Sequence, residues 1–218
     1  MKLIQFNRNI KSRSIRHRID IINIIINACE MIILNQFSDH IDINDLEHNQ
    51  YPFLLINNMS RLFIFEDNKF FSIAFPFQIN IEKHQVTFLS IPIALGTLSI
   101  INSVLNDFDE RNSIVKLTDS IFDNEEYNGL LKEEQQTIEE LIEYLLSYEA
   151  GYVRYDYDPT NFKKYSEKGN PKVHPLNHLD INYTSNATYK IGLKTSINIK
   201  DFLDCLDSTT DSWFIGKT

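Results

Sequence analysis

Apolar residues recur at Ile15, Ile19, Ile22, Ile26, Cys29 and Ile33, and this spacing predicts a helix over Ser14 to Leu34. Ile21, Ile24, Ile25 and Ile32 widen its apolar face, so the helix is expected to be buried around much of its circumference. From Phe53 to Ile93 the pattern changes to β-branched and aromatic runs broken by turn residues. Leu62–Phe65, Phe70–Ile81 and Val86–Ile93 read as strands of an antiparallel meander, with turns at Glu66–Lys69 and Glu82–His84. Pro76 and Pro92 mark edges or bulges within it. A helical period returns over Ala94–Asn106 and again over Glu133–Tyr148. In the latter, Ile138, Leu141, Ile142 and Leu145 share one face, and Glu139, Glu140 and Glu143 the other.

The last third of the chain alternates instead. Tyr152, Arg154, Asp156 and Asp158 fall on one strand face, and Val153, Tyr155 and Tyr157 on the other. Pro159–Val173 reads as a polar loop. Beyond it His178, Asp180 and Asn182 share a face, opposite Leu179, Ile181 and Tyr183. If these two strands pair, Arg154, Asp156, His178 and Asp180 converge, with Pro175 holding His174 at the strand entrance. A turn at Asn182–Ala187, a strand at Thr188–Leu193 and a helix at Asn198–Leu206 follow, with Ile199, Phe202, Leu203 and Leu206 facing in. Trp213 and Phe214 read as anchors in the core or at a partner surface. The expected class is α+β, an antiparallel β-sheet packed against several helices. One domain is expected over 1–218, with a candidate sub-boundary near 107–131 separating a helix-plus-meander part from a C-terminal part that holds the candidate site.

Charge refines this picture. The formal net charge of -9 opposes broad, non-specific nucleic-acid binding. Met1 to Arg18 nevertheless carries Lys2, Arg8, Lys11, Arg13, Arg16 and Arg18 without an acid, so Arg13, Arg16 and Arg18 are candidates to meet nucleic-acid phosphates or an acidic partner. The default for such a terminus is a solvated, partly frayed segment. Asp39–Gln50 mixes four carboxylates with His40 and His48 at irregular spacing, which fits a solvated loop better than a metal site. Cys29 and Cys205 lie in apolar helical patterns and no Cys-x-x-Cys pair occurs, which fits a reducing cytoplasm. Asp20, Asn23, Asn27 and Glu30 interrupt the apolar run Ile19–Leu34, which argues against a bilayer span and leaves no membrane partner expected. No Gly-rich phosphate loop and no Gly-x-Ser-x-Gly elbow is present, which disfavours nucleotide-driven motors and serine hydrolases.

Two chemistries suit the convergent cluster. His174, His178, Asp156 and Asp180 could hold a divalent metal that activates water for phosphodiester or ester hydrolysis. Without metal, one histidine could act as general base and the other as acid, with Arg154 or Lys190 stabilising charge on a phosphorane. A structural ion pair across strands is the alternative.

The order Arg154-Tyr155-Asp156-Tyr157-Asp158, then His174-Pro175-Leu176-Asn177-His178-Leu179, then a helix with an aromatic end, resembles bacterial proteins grouped as domain of unknown function 2290. Phe88-Leu89-Ser90-Ile91-Pro92 is similar to a Phe-Leu-x-x-Pro element of that family. Lys190-Ile191-Gly192 stands where the family pattern has an arginine-proline element. The resemblance implies a prokaryotic cytoplasmic protein encoded with mobile-element or phage-defence genes. The expectation is therefore a component of a phage-defence or toxin-antitoxin system. It is either a small nuclease or phosphodiesterase, or a non-enzymatic subunit that binds a protein partner encoded nearby.

Overall fold

Short β-branched and aromatic runs make most of the strands, and they assemble mainly by local antiparallel pairing. The computed structural model describes residues 2–10, 15–39, 41, 51–66, 69–106, 114–182 and 188–213. The chain forms two compact units, one of residues 1–9, 38–75 and 151–218, the other of residues 10–37 and 76–150. The class is α+β, as expected.

The first unit carries the main sheet. Its strands are β1 (Lys2–Phe6), β3 (Phe53–Ile56), β4 (Arg61–Glu66), β5 (Lys69–Ala74), β9 (Val153–Tyr157), β10 (Asn177–Ile181) and β11 (Tyr189–Leu193). With the two-residue β2 (Phe37–Ser38), the order is β11-β10-β9-β5-β4-β3-β1-β2. One face of this sheet is apolar and receives α7 (Ile199–Leu206). Phe53 stacks on Phe63 at 4.7 Å and Phe70 on Tyr155 at 4.6 Å, while Phe202 of α7 meets Phe63 and Phe70 edge-on at 6.0 and 4.9 Å. The aromatic stripe is thus a core face, and each fully buried ring such as Phe202 contributes ~1.5–3 kcal/mol. A capping box starts α7: Asn198 Oδ1 accepts from the Asp201 amide at 2.9 Å, and Asp201 Oδ2 accepts from the Asn198 amide at 3.1 Å. Buried Arg61 ties three segments together, donating to Ser72 Oγ at 3.0 Å and to the Gly151 carbonyl at 2.6 Å. Gly151 sits at φ +50, the left-handed region that favours glycine.

The second unit holds α1 (Arg18–Ile33), β6 (Gln78–Asn80), β7 (Gln85–Phe88), β8 (Ile91–Pro92), α2 (Leu95–Asn106), α3 (Ile114–Phe122), α4 (Glu125–Asn128) and α5 (Lys132–Ser147). The helix α1 is buried nearly all round, including Cys29. The helix α5 buries Ile138, Leu141, Ile142 and Leu145, as its pattern predicts. Among the described residues, no helix is long and apolar enough to cross a membrane.

Several expectations are corrected. Lys2–Phe6 is not a frayed terminus: it pairs antiparallel with β3 and buries Leu3, Ile4 and Phe6. The run Phe70–Ile81 is two strands in different sheets, because Pro76 lacks an N–H to continue the ladder. Val86–Ile93 is likewise two strands, turning at Leu89 and Ser90 with positive φ. Pro159–Val173 is not a loop but α6 (Pro159–Glu167) followed by a 3-10 turn at Pro171–Val173. Trp213 is no core anchor: it is 41% exposed, its indole N–H bonded to Asp204 at 2.9 Å. His40, residues 42–50, residues 107–113 of the candidate boundary, the turn residues 183–187, Phe214 and Arg13 lie outside the described residues.

Candidate functional site

The expected convergence occurs. Strands β9 and β10 pair antiparallel with His178 opposite Asp156 and Asp180 opposite Arg154. On its other edge β10 pairs with β11, which sets Lys190 opposite Asp180 and Gly192 opposite His178. Strand β5 adds Lys69 opposite Asp156. Directly opposed residues share a face, so these polar side chains gather on the face of β9–β11 turned away from α7.

The charges are interlocked. Asp180 accepts from Lys190 Nζ on Oδ1 and from Arg154 Nη2 on Oδ2, each at 2.6 Å. The same Arg154 nitrogen donates to Asp156 Oδ2 at 2.8 Å. Asp156 and Asp180 are each 3% exposed and His178 is 0% exposed. The side chains of Arg154 and Lys190 remain 29% and 31% exposed. Two buried carboxylates therefore sit beneath two cations that reach solvent. Burial pushes the Asp156 carboxyl up, but the Arg154 guanidinium hydrogen-bonded to it outweighs this and holds the group below its ordinary value. Burial also pushes the neighbouring Tyr152 phenol up to about 12.

Hydrogen bonding fixes the state of His178. Its Nδ1 lies 2.9 Å from the Pro175 carbonyl, which can only accept, so Nδ1 carries the proton. Its Nε2 lies 3.0 Å from the Lys190 ammonium and accepts from it. The ring is neutral, with both nitrogens engaged. The 3.6 and 3.7 Å separations of Nε2 from Asp156 and Asp180 are too long for hydrogen bonds.

The segment expected to be a loop covers this cluster. Asp158 leaves the polar row to cap α6, its Oδ1 accepting from the Asn161 amide at 3.0 Å, with Pro159 pre-set for the first turn. Tyr165 of α6 stacks on His174 at 5.8 Å, and His174 meets His178 edge-on at 4.8 Å. Pro175 lies over Gly192, where a Cβ would come within 2.9 Å of the proline ring. Only glycine admits the covering segment this close.

His174 is therefore part of the cluster, its side chain 15% exposed and its Nε2 3.7 Å from Asp158. Burial, then the Lys190 ammonium, lowers its pKa. Its Nδ1 is buried and has no hydrogen-bond partner among the described residues. A lowered folded pKa means that the unfolded chain takes up the proton first as pH falls. Stability is then complete above the ordinary value of 6.5 and is lost from there down to the folded pKa. Asp156 works at lower pH, its contribution being present above 3.8 and lost as pH falls through its depressed folded value. Thermal melts from pH 8 to 5 are expected to show a decline setting in below pH 6.5, and His174→Gln is expected to flatten that decline.

Asp156, His178 and Asp180 offer three ligand atoms within 4.8 Å of one another, a set that suits a divalent ion. Lys190 Nζ already bonds two of these ligands, Asp180 and His178, and so supplies the positive charge an ion would bring. Arg16 and Arg18 are in the second unit, where the Arg16 amide donates to Asp20 at 2.8 Å and the Arg18 guanidinium donates to the Tyr148 carbonyl at 2.6 Å. Sequence reasoning missed Tyr165, Gly192 and Lys69. The Asp158-Pro159 pair is a helix-start signal that would have found α6, and a glycine inside a strand pattern marks close approach.

No family model matches the chain, and no curated protein and no solved structure matches it either.

Proposed function

We propose that the β9–β11 cluster is the phosphate-handling site of a phosphodiesterase or small nuclease that works in a prokaryotic phage-defence or toxin-antitoxin system. The observation that supports the chemistry is one buried carboxylate, Asp180, holding two partly exposed cations, Arg154 and Lys190, beside a histidine kept neutral. The resemblance of Arg154–Leu179 to the bacterial domain of unknown function 2290 supports the setting.

The roles differ from the acid-base pair of histidines expected from the sequence. His178 is fully buried with both nitrogens occupied, so it is a positioning residue that orients Lys190. His174 is the base: its side chain is 15% exposed, and its Nε2, 3.7 Å from Asp158, is the acceptor left for a water molecule. As that water's oxygen bonds phosphorus, its proton passes to His174. The ester P–O bond then breaks and the leaving oxygen takes a proton from solvent. Arg154 and Lys190 stabilise the charge gathering on the phosphorane oxygens, and their geometry is fixed in advance by Asp156 and Asp180.

Hydrolysis of bis(p-nitrophenyl) phosphate by the full chain tests this. His174→Gln and Lys190→Met are each expected to lower kcat/KM about 10²-fold. A wild-type chain without activity towards any phosphodiester, or variants as active as wild type, would refute the catalytic reading.

The non-enzymatic subunit is favoured by a different feature. Beside β11, the terminal strand of the sheet, lies a groove of about 900 Å³ whose walls include Ile181, Ile191, Leu193, Met59 and Trp213. A protein partner seated there would cover apolar surface. Recovery of an equimolar complex from the native host, disrupted by Ile191→Glu with hydrolysis absent throughout, would select this reading.

A further inference from the structure

We infer that the ligand of this site is single-stranded nucleic acid and that its backbone is gripped by lysines of α6 and the turn after it. This deepens the phosphodiesterase reading and rests on it.

The chain segregates its charge. Residues 151–200 hold eight of the 21 Lys and Arg but only four of the 30 Asp and Glu. Two of those four, Asp156 and Asp180, are buried under Arg154 and Lys190, and Asp158 is spent capping α6. Glu167 is the one exposed carboxylate left in this stretch among the described residues, against exposed Lys163, Lys164, Lys168, Lys172 and Lys194. The overall acidity of the protein thus lies outside the segment that builds the site, and the local surface is cationic.

Placement along α6 sets the size of the ligand. Tyr165 faces His174, and the 3.6-residue period puts Lys163 on the far side of the helix and Lys164 on its flank, while Lys168, the C-cap three residues on from Tyr165, lies on the same side as that contact. Lys172 lies in the turn that leads into His174. A single phosphodiester at Arg154 and Lys190 cannot span the width of a helix, which is ~10 Å. A strand of several nucleotides can, with one phosphate at the cluster and its neighbours on the lysines. A flexible single strand follows such a curved path, and the chemistry at the cluster needs one exposed phosphodiester at a time.

The test uses the full chain, fluorescein-labelled single-stranded oligonucleotides of increasing length, and a variant carrying Lys163→Gln, Lys164→Gln, Lys168→Gln and Lys172→Gln. Anisotropy is expected to show affinity rising with length and then levelling. The quadruple variant is expected to lose about 10-fold or more on the longest oligonucleotide. Its salt slope should fall by ~0.7 for each phosphate contact removed. Its hydrolysis of bis(p-nitrophenyl) phosphate should match wild type. Oligonucleotide affinity unaffected by the four substitutions overturns the lysine grip even when the small diester is still hydrolysed. Poly-glutamate bound as tightly as the oligonucleotide overturns the assignment to nucleic acid. Lysine-dependent, length-dependent binding without hydrolysis upholds the grip and removes only the catalytic reading.

Discussion

Asp180→Ala is expected to destabilise the chain by about 3–5 kcal/mol, the cost of removing one partner from a buried charge cluster. The residue is 3% exposed and accepts one bond from each of the two cations at 2.6 Å. Without it Lys190 faces only the neutral His178 ring, and Arg154 keeps Asp156 alone. For a chain of this length the loss corresponds to a drop in Tm of about 10 °C. The effect should be less than additive with Lys190→Met, because removing the ammonium also removes the charge left unpaired. Calorimetry of the two single variants and the double variant measures this. A loss below about 1 kcal/mol for Asp180→Ala, the size of an exposed ion pair, would show that the cluster is solvated.

Lys190→Ala is expected to turn the cluster into a divalent-metal site. The ligand atoms of Asp156, His178 and Asp180 already lie within 4.8 Å of one another, and the ammonium of Lys190 bonds two of those residues. Trimming the side chain leaves an excess negative charge and an open polar cavity lined by oxygen and nitrogen donors, a set that suits Zn²⁺ or Mn²⁺. At a metal concentration one hundred times Kd, binding to the folded state alone adds about 2.7 kcal/mol of stability. Melting the variant with and without Zn²⁺ should show a rise of several degrees, abolished by a further Asp156→Ala change. Wild type should shift far less, its own cation having to leave first. Equal shifts in both proteins would mean that Lys190 does not guard the site.

The gathering of the cluster was legible in the sequence, and its depth was not. A two-residue period fixes which side chains share a face, so Arg154, Asp156, His178 and Asp180 could be placed together from spacing alone. Periodicity is silent on what covers that face. Here the cover is α6 with Pro175, an element hidden in a stretch that is polar because its outer side is lysine-rich. Missing it made His178 look available for proton transfer when the ring is sealed at 0% exposure. The break at Phe75–Phe77 escaped for a related reason. Aromatic residues continue through Pro76, so hydrophobicity shows no boundary, while the ladder ends for want of an N–H. The strand Lys2–Phe6 was masked by its basic neighbours, although Leu3, Ile4 and Phe6 supply the burial that pins it against β3. Helices α1, α2 and α5 were legible because each is long enough for the 3.6-residue period to repeat.

The claim on which the rest depends is that Arg154 and Lys190, held from below, meet a phosphodiester at the surface of β9–β11. Titration of isotope-labelled protein with a dinucleotide tests it most directly, through the ¹⁵N resonances of the Arg154 guanidinium and the Lys190 ammonium and the ring signals of His174. Saturable shifts concentrated on those three groups, with His178 retaining its Nδ1–H form throughout, are the predicted result. Unmoved signals at all three, with or without shifts elsewhere in the chain, would contradict it.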